Sequence, residues 1–192
     1  MRNDEKLKAG LLGFWVFLMS DALIFSLLFA VYATQLQATD AGPGNRDVVA
    51  LGSSLAQTLV LLSSSFTVAM AAATLRYRPD RLGTLSAWLV ATVLLGLAFI
   101  GMELHDVLGL IDKGAVPQRS GYLSAFYALV GTHGLHVTAG CAWIMIMLVQ
   151  LRVFGLDAGV KFGLACLALY WHLLDIIWVG LYGVVYLQGL IA

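Results

Sequence analysis

Five ionisable residues lie inside long apolar runs and a sixth, Glu103, at the end of one, where a charge is costly and a polar side chain has to find a partner. They are Asp21 in "FLMSDALIF", Glu103 in "FIGMELHD", His133 and His136 in "GTHGLHVTAG", and His172 and Asp175 in "YWHLLDIIW". Carboxyls and imidazoles in such places can relay protons, hold a metal or bridge helices through hydrogen bonds. Spacing narrows the choice. His133 and His136 are three residues apart, so on a helix they project from nearly one side and cannot approach a haem iron from opposite faces. Either of them would need His172 as the second ligand. The acid of an H-E-x-x-H zinc site is missing, and no closely spaced cysteines accompany the histidines as a dinuclear copper centre requires. Cys141 and Cys166 stand in separate runs and read as core residues. The favoured reading of the two histidines is therefore polar groups satisfied by neighbouring helices.

Asp21 is the most informative single residue. An acid near the centre of a membrane helix costs about 2.5–3.5 kcal/mol on the insertion scale, and the surrounding Leu, Ile, Phe and Val each return about 0.3–0.6 kcal/mol. With fourteen such residues between Leu11 and Leu36, the helix still inserts. A proton or ligand contact competes here with an interhelical hydrogen bond, and the bond is the simpler reading. His172 and Asp175, three apart, make a polar stripe on one helix face and read as a bridge rather than a relay. Glu103, His105 and Asp106 fall at the end of an apolar run, where snorkelling to the membrane surface meets their needs.

The elements that must position these residues follow from composition. With 60% hydrophobic residues, 11% charged residues and a mean hydropathy of +0.88 over 192 residues, the chain is too apolar for a surface that meets water. A bilayer core takes about 20 apolar residues per helix, and five runs qualify: Leu11 to Leu36, Leu51 to Leu75, Leu85 to Met102, Tyr122 to Val149 and Phe162 to Ile191. The expectation is a single all-helical transmembrane domain covering residues 1–192. The first run is too long for a signal-peptide core and lacks a cleavage site, so it reads as a permanent helix. Turn-forming stretches "ATDAGPGNRD", "RYRPDRLG" and "GLDAG" separate the runs, and "ELHDVLGLIDKGAVPQRSG" has room for a short interfacial helix before Pro117.

Cations set the orientation. Arg2, Lys6, Lys8, Arg76, Arg78, Arg81, Arg152 and Lys161 fall on one side of the five runs, against Arg46, Lys113 and Arg119 on the other. The positive-inside rule then puts the amino terminus in the cytoplasm and the carboxyl terminus outside. Close packing is expected along Ser65, Ala69 and Ala73 in the second run and along Gly134, Thr138 and Ala142 in the fourth, because small residues let membrane helices approach. Trp88, Tyr32 and Tyr122 suit an interfacial belt, whereas Trp171 and Trp178 belong deeper. Phosphate loops, nucleophile elbows and nucleic-acid signatures are absent.

Four segments together, "GFWVFLMSDALIFSLLFAVYA", "FIGMELHD", "RSGYLSAFYALVGTHGLHVTAG" and "LYWHLLDIIWVGLYGVVYLQG", resemble subunit III of the haem-copper terminal oxidases, and lean toward its bo-type ubiquinol oxidase branch. The resemblance runs through spans one, three, four and five in order. It implies the five-helix bacterial form, with Asp21 where cytochrome c oxidases carry a carbodiimide-reactive glutamate. It further implies a V-shaped lipid cleft between a two-helix part, spans one and two, and a three-helix part, spans three to five. A non-redox accessory role in a bacterial inner membrane follows, with no cofactor in this chain, haem and copper in partner subunit I, subunit II and a small subunit IV as further partners, and bound phospholipid. Asp21, Glu103, His133, His136, His172 and Asp175 match polar family positions, and Arg152 is a candidate for a lipid headgroup. Alternatives are subunit III of a cytochrome c oxidase, an independent proton-coupled transporter, and a haem carrier pairing His133 or His136 with His172.

Overall fold

The computed structural model describes residues 2–36, 38 and 51–187, and among them the only secondary structure is helix joined by short turns, without strands. Five helices are long and apolar enough to cross a membrane: α1 (Arg2–Gln35), α2 (Leu51–Tyr77), α3 (Leu82–Asp112), α4 (Gly121–Phe154) and α5 (Ala158–Leu181). In hydrocarbon no water satisfies a bare peptide group, so each apolar run closes its hydrogen bonds within itself. The connector holding Arg46, and the end of the fifth run beyond residue 187, lie outside the described residues.

Helix ends are set by local chemistry. Span three runs ten residues past its apolar stretch, because Glu103, Asp106 and Asp112 lower the hydropathy without breaking the helix. It stops where Gly114 takes φ 74°, with the Gly114 N–H donating to Ile111 O at 2.9 Å and the Ala115 N–H to Leu110 O at 3.0 Å. That pair of bonds is a Schellman stop, and it needs a residue able to enter the left-handed region. The short helix expected before Pro117 is thus a continuation of α3. A single 3-10 turn, Pro117–Arg119, follows, and Ser120 then caps α4 by accepting the Leu123 N–H at 3.2 Å. At its far end α5 loosens into a π-helical turn, Tyr182–Leu187.

Helices α2, α3, α4 and α5 form a ring in which each touches the next and α2 closes on α5, while α1 lies outside across α4 and α5. This differs from the expected division into spans one and two against spans three to five: α2 packs most extensively on α3, and α1 on α4. Successive helices alternate in direction. Tyr32 meets Tyr122 at one end of the bundle, and Phe162 lies 3.1 Å from the position of a Cβ on Gly10 at the other. The amino-terminal end of the bundle carries Arg76, Arg78, Arg81, Arg152 and Lys161, and the opposite end Lys113 and Arg119.

The centre of the ring is filled by side chains of α5. Trp171 and Trp178 are each 1% exposed, and Phe99 stands edge-on to Trp178 with centroids 4.7 Å apart. Glycines make this possible: a Cβ on Gly96 would sit 2.7 Å from Cys141 Sγ and 3.1 Å from the Trp171 ring, and one on Gly140 would sit 3.0 Å from that ring. Gly96→Val should therefore destabilise the bundle by about 1–3 kcal/mol through overpacking. Thermal aggregation in mild detergent would read it, and an unshifted midpoint would contradict it.

The most buried faces lie one position from the expected small-residue stripes, of which Ser65 and Gly134 still meet neighbouring helices, at His172 and Glu103. On α2 the packed face is Leu61, Ser64, Thr67, Val68 and Ala71, with Ala69 exposed. On α4 it is His133, Val137, Gly140, Cys141 and Ile144, with Thr138 and Ala142 exposed. A shift of one residue turns a helix by about 100°, enough to exchange faces. Tyr32 and Tyr122 are fully buried against each other rather than forming an interfacial belt.

Candidate functional site

Two polar clusters gather on α5. In the first, α5 faces α2. The Trp171 indole N–H donates to Ser64 Oγ at 2.9 Å, and the Trp178 indole N–H donates to Thr58 Oγ1 at 3.0 Å. His172 Nδ1 lies 2.9 Å from Ser65 Oγ and 3.7 Å from Asp175 Oδ2, so the expected His172–Asp175 pair exists and is tied to α2 by a hydroxyl. Asp175 is buried, with no hydrogen-bond donor on either oxygen.

The second cluster joins α1, α4 and α5. His136 Nδ1 lies 2.7 Å from Thr132 O, a carbonyl one turn earlier, so Nδ1 carries the proton. Nε2 is left facing Asp21 Oδ2 at 3.8 Å, an ion-pair separation too long for a hydrogen bond. Tyr170 of α5 donates to His136 O at 3.0 Å. His133, fully buried, has Nε2 3.4 Å from Leu174 O on α5, and its ring is enclosed by Phe25, Phe99 and Trp178. The span-one acid and the span-four histidines are thus brought together between helices, with Asp21 Oδ2 and His133 Nδ1 buried without a hydrogen-bond partner.

Glu103 and Arg152 stand apart from both clusters. Glu103 does not snorkel: it is 8% exposed, wedged between α3 and α4, and its Oε2 is 2.8 Å from the position of a Cβ on Gly134. Oε1 is buried without a hydrogen-bond partner. Its neighbours diverge from it because a helix turns them away: Asp106, three residues on, accepts from Ser53 and Gln57 of α2 at 2.5 and 2.8 Å, and His105 is exposed. The expected surface cluster is therefore three residues with three different fates. Arg152 is exposed in the last turn of α4. A cavity of about 280 Å³ opens instead between α2, α3 and α5, lined by Val68, Ala72, Leu89 and Ala168 with Arg76 at its edge.

His133, His136 and His172 each have at least one defined neighbour within the bundle. His133 is walled in by three rings, His136 Nδ1 is held by Thr132 O, and His172 Nδ1 faces Ser65 Oγ and Asp175 Oδ2. Among the described residues no three of His, Cys, Asp and Glu converge in metal-binding geometry. The indole-to-hydroxyl ties were not singled out from the sequence, although their signal was there. Trp171 and Trp178 are seven apart, two turns on one face, and Thr58 and Ser64 supply acceptors at nearly the same spacing on an antiparallel neighbour.

Comparison with known proteins follows the same outline. The family model described as cytochrome c oxidase subunit III matches residues 3–190. "Cytochrome bo(3) ubiquinol oxidase subunit 3" of Pseudomonas putida is 44% identical over 94% of this chain and 86% of its own length. The protein of that name from Buchnera aphidicola subsp. Baizongia pistaciae is 38% identical over 94% and 92%. "Probable quinol oxidase subunit 3" of Staphylococcus haemolyticus is 36% identical over 94% and 89%. With five apolar helices, polar ties directed into the bundle and a match over nearly the whole sequence, the chain belongs to the cytochrome c oxidase subunit III family.

Proposed function

We propose that this chain is subunit III of a bacterial ubiquinol oxidase, a respiratory complex that oxidises ubiquinol, reduces oxygen to water and moves protons outward. The observation that carries the reading is the 44% identity over 94% of the chain to a subunit of that name. Its place in the complex is accessory. Electron transfer belongs to haem and copper in subunit I, with subunit II and a small subunit IV as further partners. The chain crosses the inner membrane with its amino terminus in the cytoplasm and its carboxyl terminus in the periplasm, which puts the Arg- and Lys-rich end of the bundle inside.

In this reading the Asp21–His136 contact, the His133–Leu174 contact and the His172–Asp175–Ser65 group hold the helices in the arrangement that docks on subunit I. Phospholipid acyl chains fill the cavity beside Arg76, whose guanidinium suits a headgroup phosphate better than the isolated Arg152 does.

A gentle detergent extract of tagged chain should bring down a larger haem-bearing subunit and ubiquinol oxidase activity. Oxidation of reduced cytochrome c by that preparation would instead favour the second reading, a cytochrome c oxidase, which the description of the matching family model keeps in view. Recovery of the chain alone, with proton flux in liposomes, would overturn both.

A further inference from the structure

The crevice around Glu103 has no role in the helix ties described above. It holds about 230 Å³ between α3 and α4, walled by Ile100, Leu104, Tyr127 and Val130 and floored by Gly134. Leu104, at its rim, is 55% exposed, so the crevice opens onto the outer surface of the bundle rather than its core. The only carboxyl in the lining is that of Glu103, and its Oε1 is buried without a donor. An apolar pocket lined by a carboxyl whose buried Oε1 has no partner suits an amphiphile, because a buried carboxyl left unpaired costs more than one that is hydrogen-bonded.

Depth and chemistry define the occupant. Helix α3 has 31 residues, about 46 Å at 1.5 Å per residue, against a hydrocarbon layer of about 30 Å. With the helix centred, Glu103 lies about 6 Å inside the polar boundary. A hydroxyl both donates and accepts, so it complements a carboxyl in either protonation state, whereas an ester carbonyl or an ammonium matches only one. An ammonium would also have to shed its hydration to reach this depth. The other polar groups of the wall leave the carboxyl free: Tyr127 donates to Ala115 O at 2.8 Å and Thr138 to Gly134 O at 2.8 Å.

We propose that the α3–α4 crevice binds a membrane amphiphile, one hydroxyl of which hydrogen-bonds to Glu103 from the edge of the hydrocarbon layer. Two sources share this chemistry, a long-chain quinol and a diacylglycerol-type lipid.

The probe is a p-alkylphenol with a diazirine in its tail, photolysed with the intact complex in phosphatidylcholine nanodiscs, which have no headgroup donor. Labelling, mapped by peptide mass spectrometry, should fall within residues 100–107 and 127–138 and exceed that of the phenol's methyl ether by about tenfold, the factor that one hydrogen bond of about 1.4 kcal/mol supplies. Glu103→Leu should reduce it to the methyl-ether level and Glu103→Gln should retain most of it, with the haem spectrum and subunit stoichiometry of both variants checked in parallel. Competition by unlabelled long-chain quinol under anaerobic conditions assigns the site to quinol, and competition by diacylglycerol assigns it to lipid. Equal labelling by phenol and ether, labelling indifferent to Glu103→Leu, or competition by neither compound would overturn the proposal. The labelling is independent of which donor the complex oxidises, so its failure leaves the assignment of the subunit untouched.

Discussion

Trp171→Ala should cost the bundle about 3–5 kcal/mol, the usual range for removing a buried tryptophan. The side chain is 1% exposed at the centre of the helix ring, against Gly96 and Gly140, and no neighbour can collapse into its space without moving a helix. In a chain of this length the loss corresponds to a fall in thermal midpoint on the order of 10 °C. Two companions separate packing from hydrogen bonding. Ser64→Ala leaves the buried indole N–H without an acceptor, at about 1–3 kcal/mol. Trp171→Phe keeps a ring and leaves Ser64, whose hydroxyl already donates to Leu61 O at 2.7 Å, at about 1 kcal/mol beyond the smaller volume. The expected order of damage is Trp171→Ala, then Ser64→Ala, then Trp171→Phe. A Phe variant as unstable as the Ala variant would mean that the ring volume is not what holds the centre.

His136→Leu should be nearly as severe, about 3 kcal/mol, for a different reason. Nε2 of His136 is the imidazole nitrogen facing Asp21, at 3.8 Å, and Asp21 Oδ2 has no hydrogen-bond donor. Removing the imidazole strands an acid inside the membrane, where it costs about 2.5–3.5 kcal/mol. Replacing both, Asp21→Leu with His136→Leu, should recover most of the loss, since an apolar pair of similar volume is often neutral or better. The double-mutant cycle then shows a coupling of about 2 kcal/mol. Strict additivity would mean that the two residues do not act as a pair. Under the proposed function, all three variants should leave the haem spectrum of the complex unchanged and differ in how long the chain stays attached during turnover.

The residues that matter were legible individually. Asp21, His133, His136, His172 and Asp175 stand out because an ionisable group in an apolar run is costly, and that cost is a property of the sequence alone. Their partners were not. Asp21 meets His136 and His172 meets Ser65 across 115 and 107 positions of chain, and nothing in local pattern encodes such a distance. Glu103 marks the clearest divergence. Its place at the end of an apolar run reads as interfacial, yet the helix continues to Asp112 and the missing Cβ of Gly134 opens the wedge that takes its carboxyl.

The number of spans and their alternating direction were fixed by composition, because hydrocarbon admits only helices whose peptide groups are self-satisfied and whose length matches the layer. Which face of each helix turns inward was decided by tertiary packing. All five spans are apolar all round, so periodicity carries almost no facing signal, and the difference between Ser64 and Ser65, or Gly140 and Thr138, was left to the fit of Trp171 and Trp178 against glycines and hydroxyls on neighbouring helices.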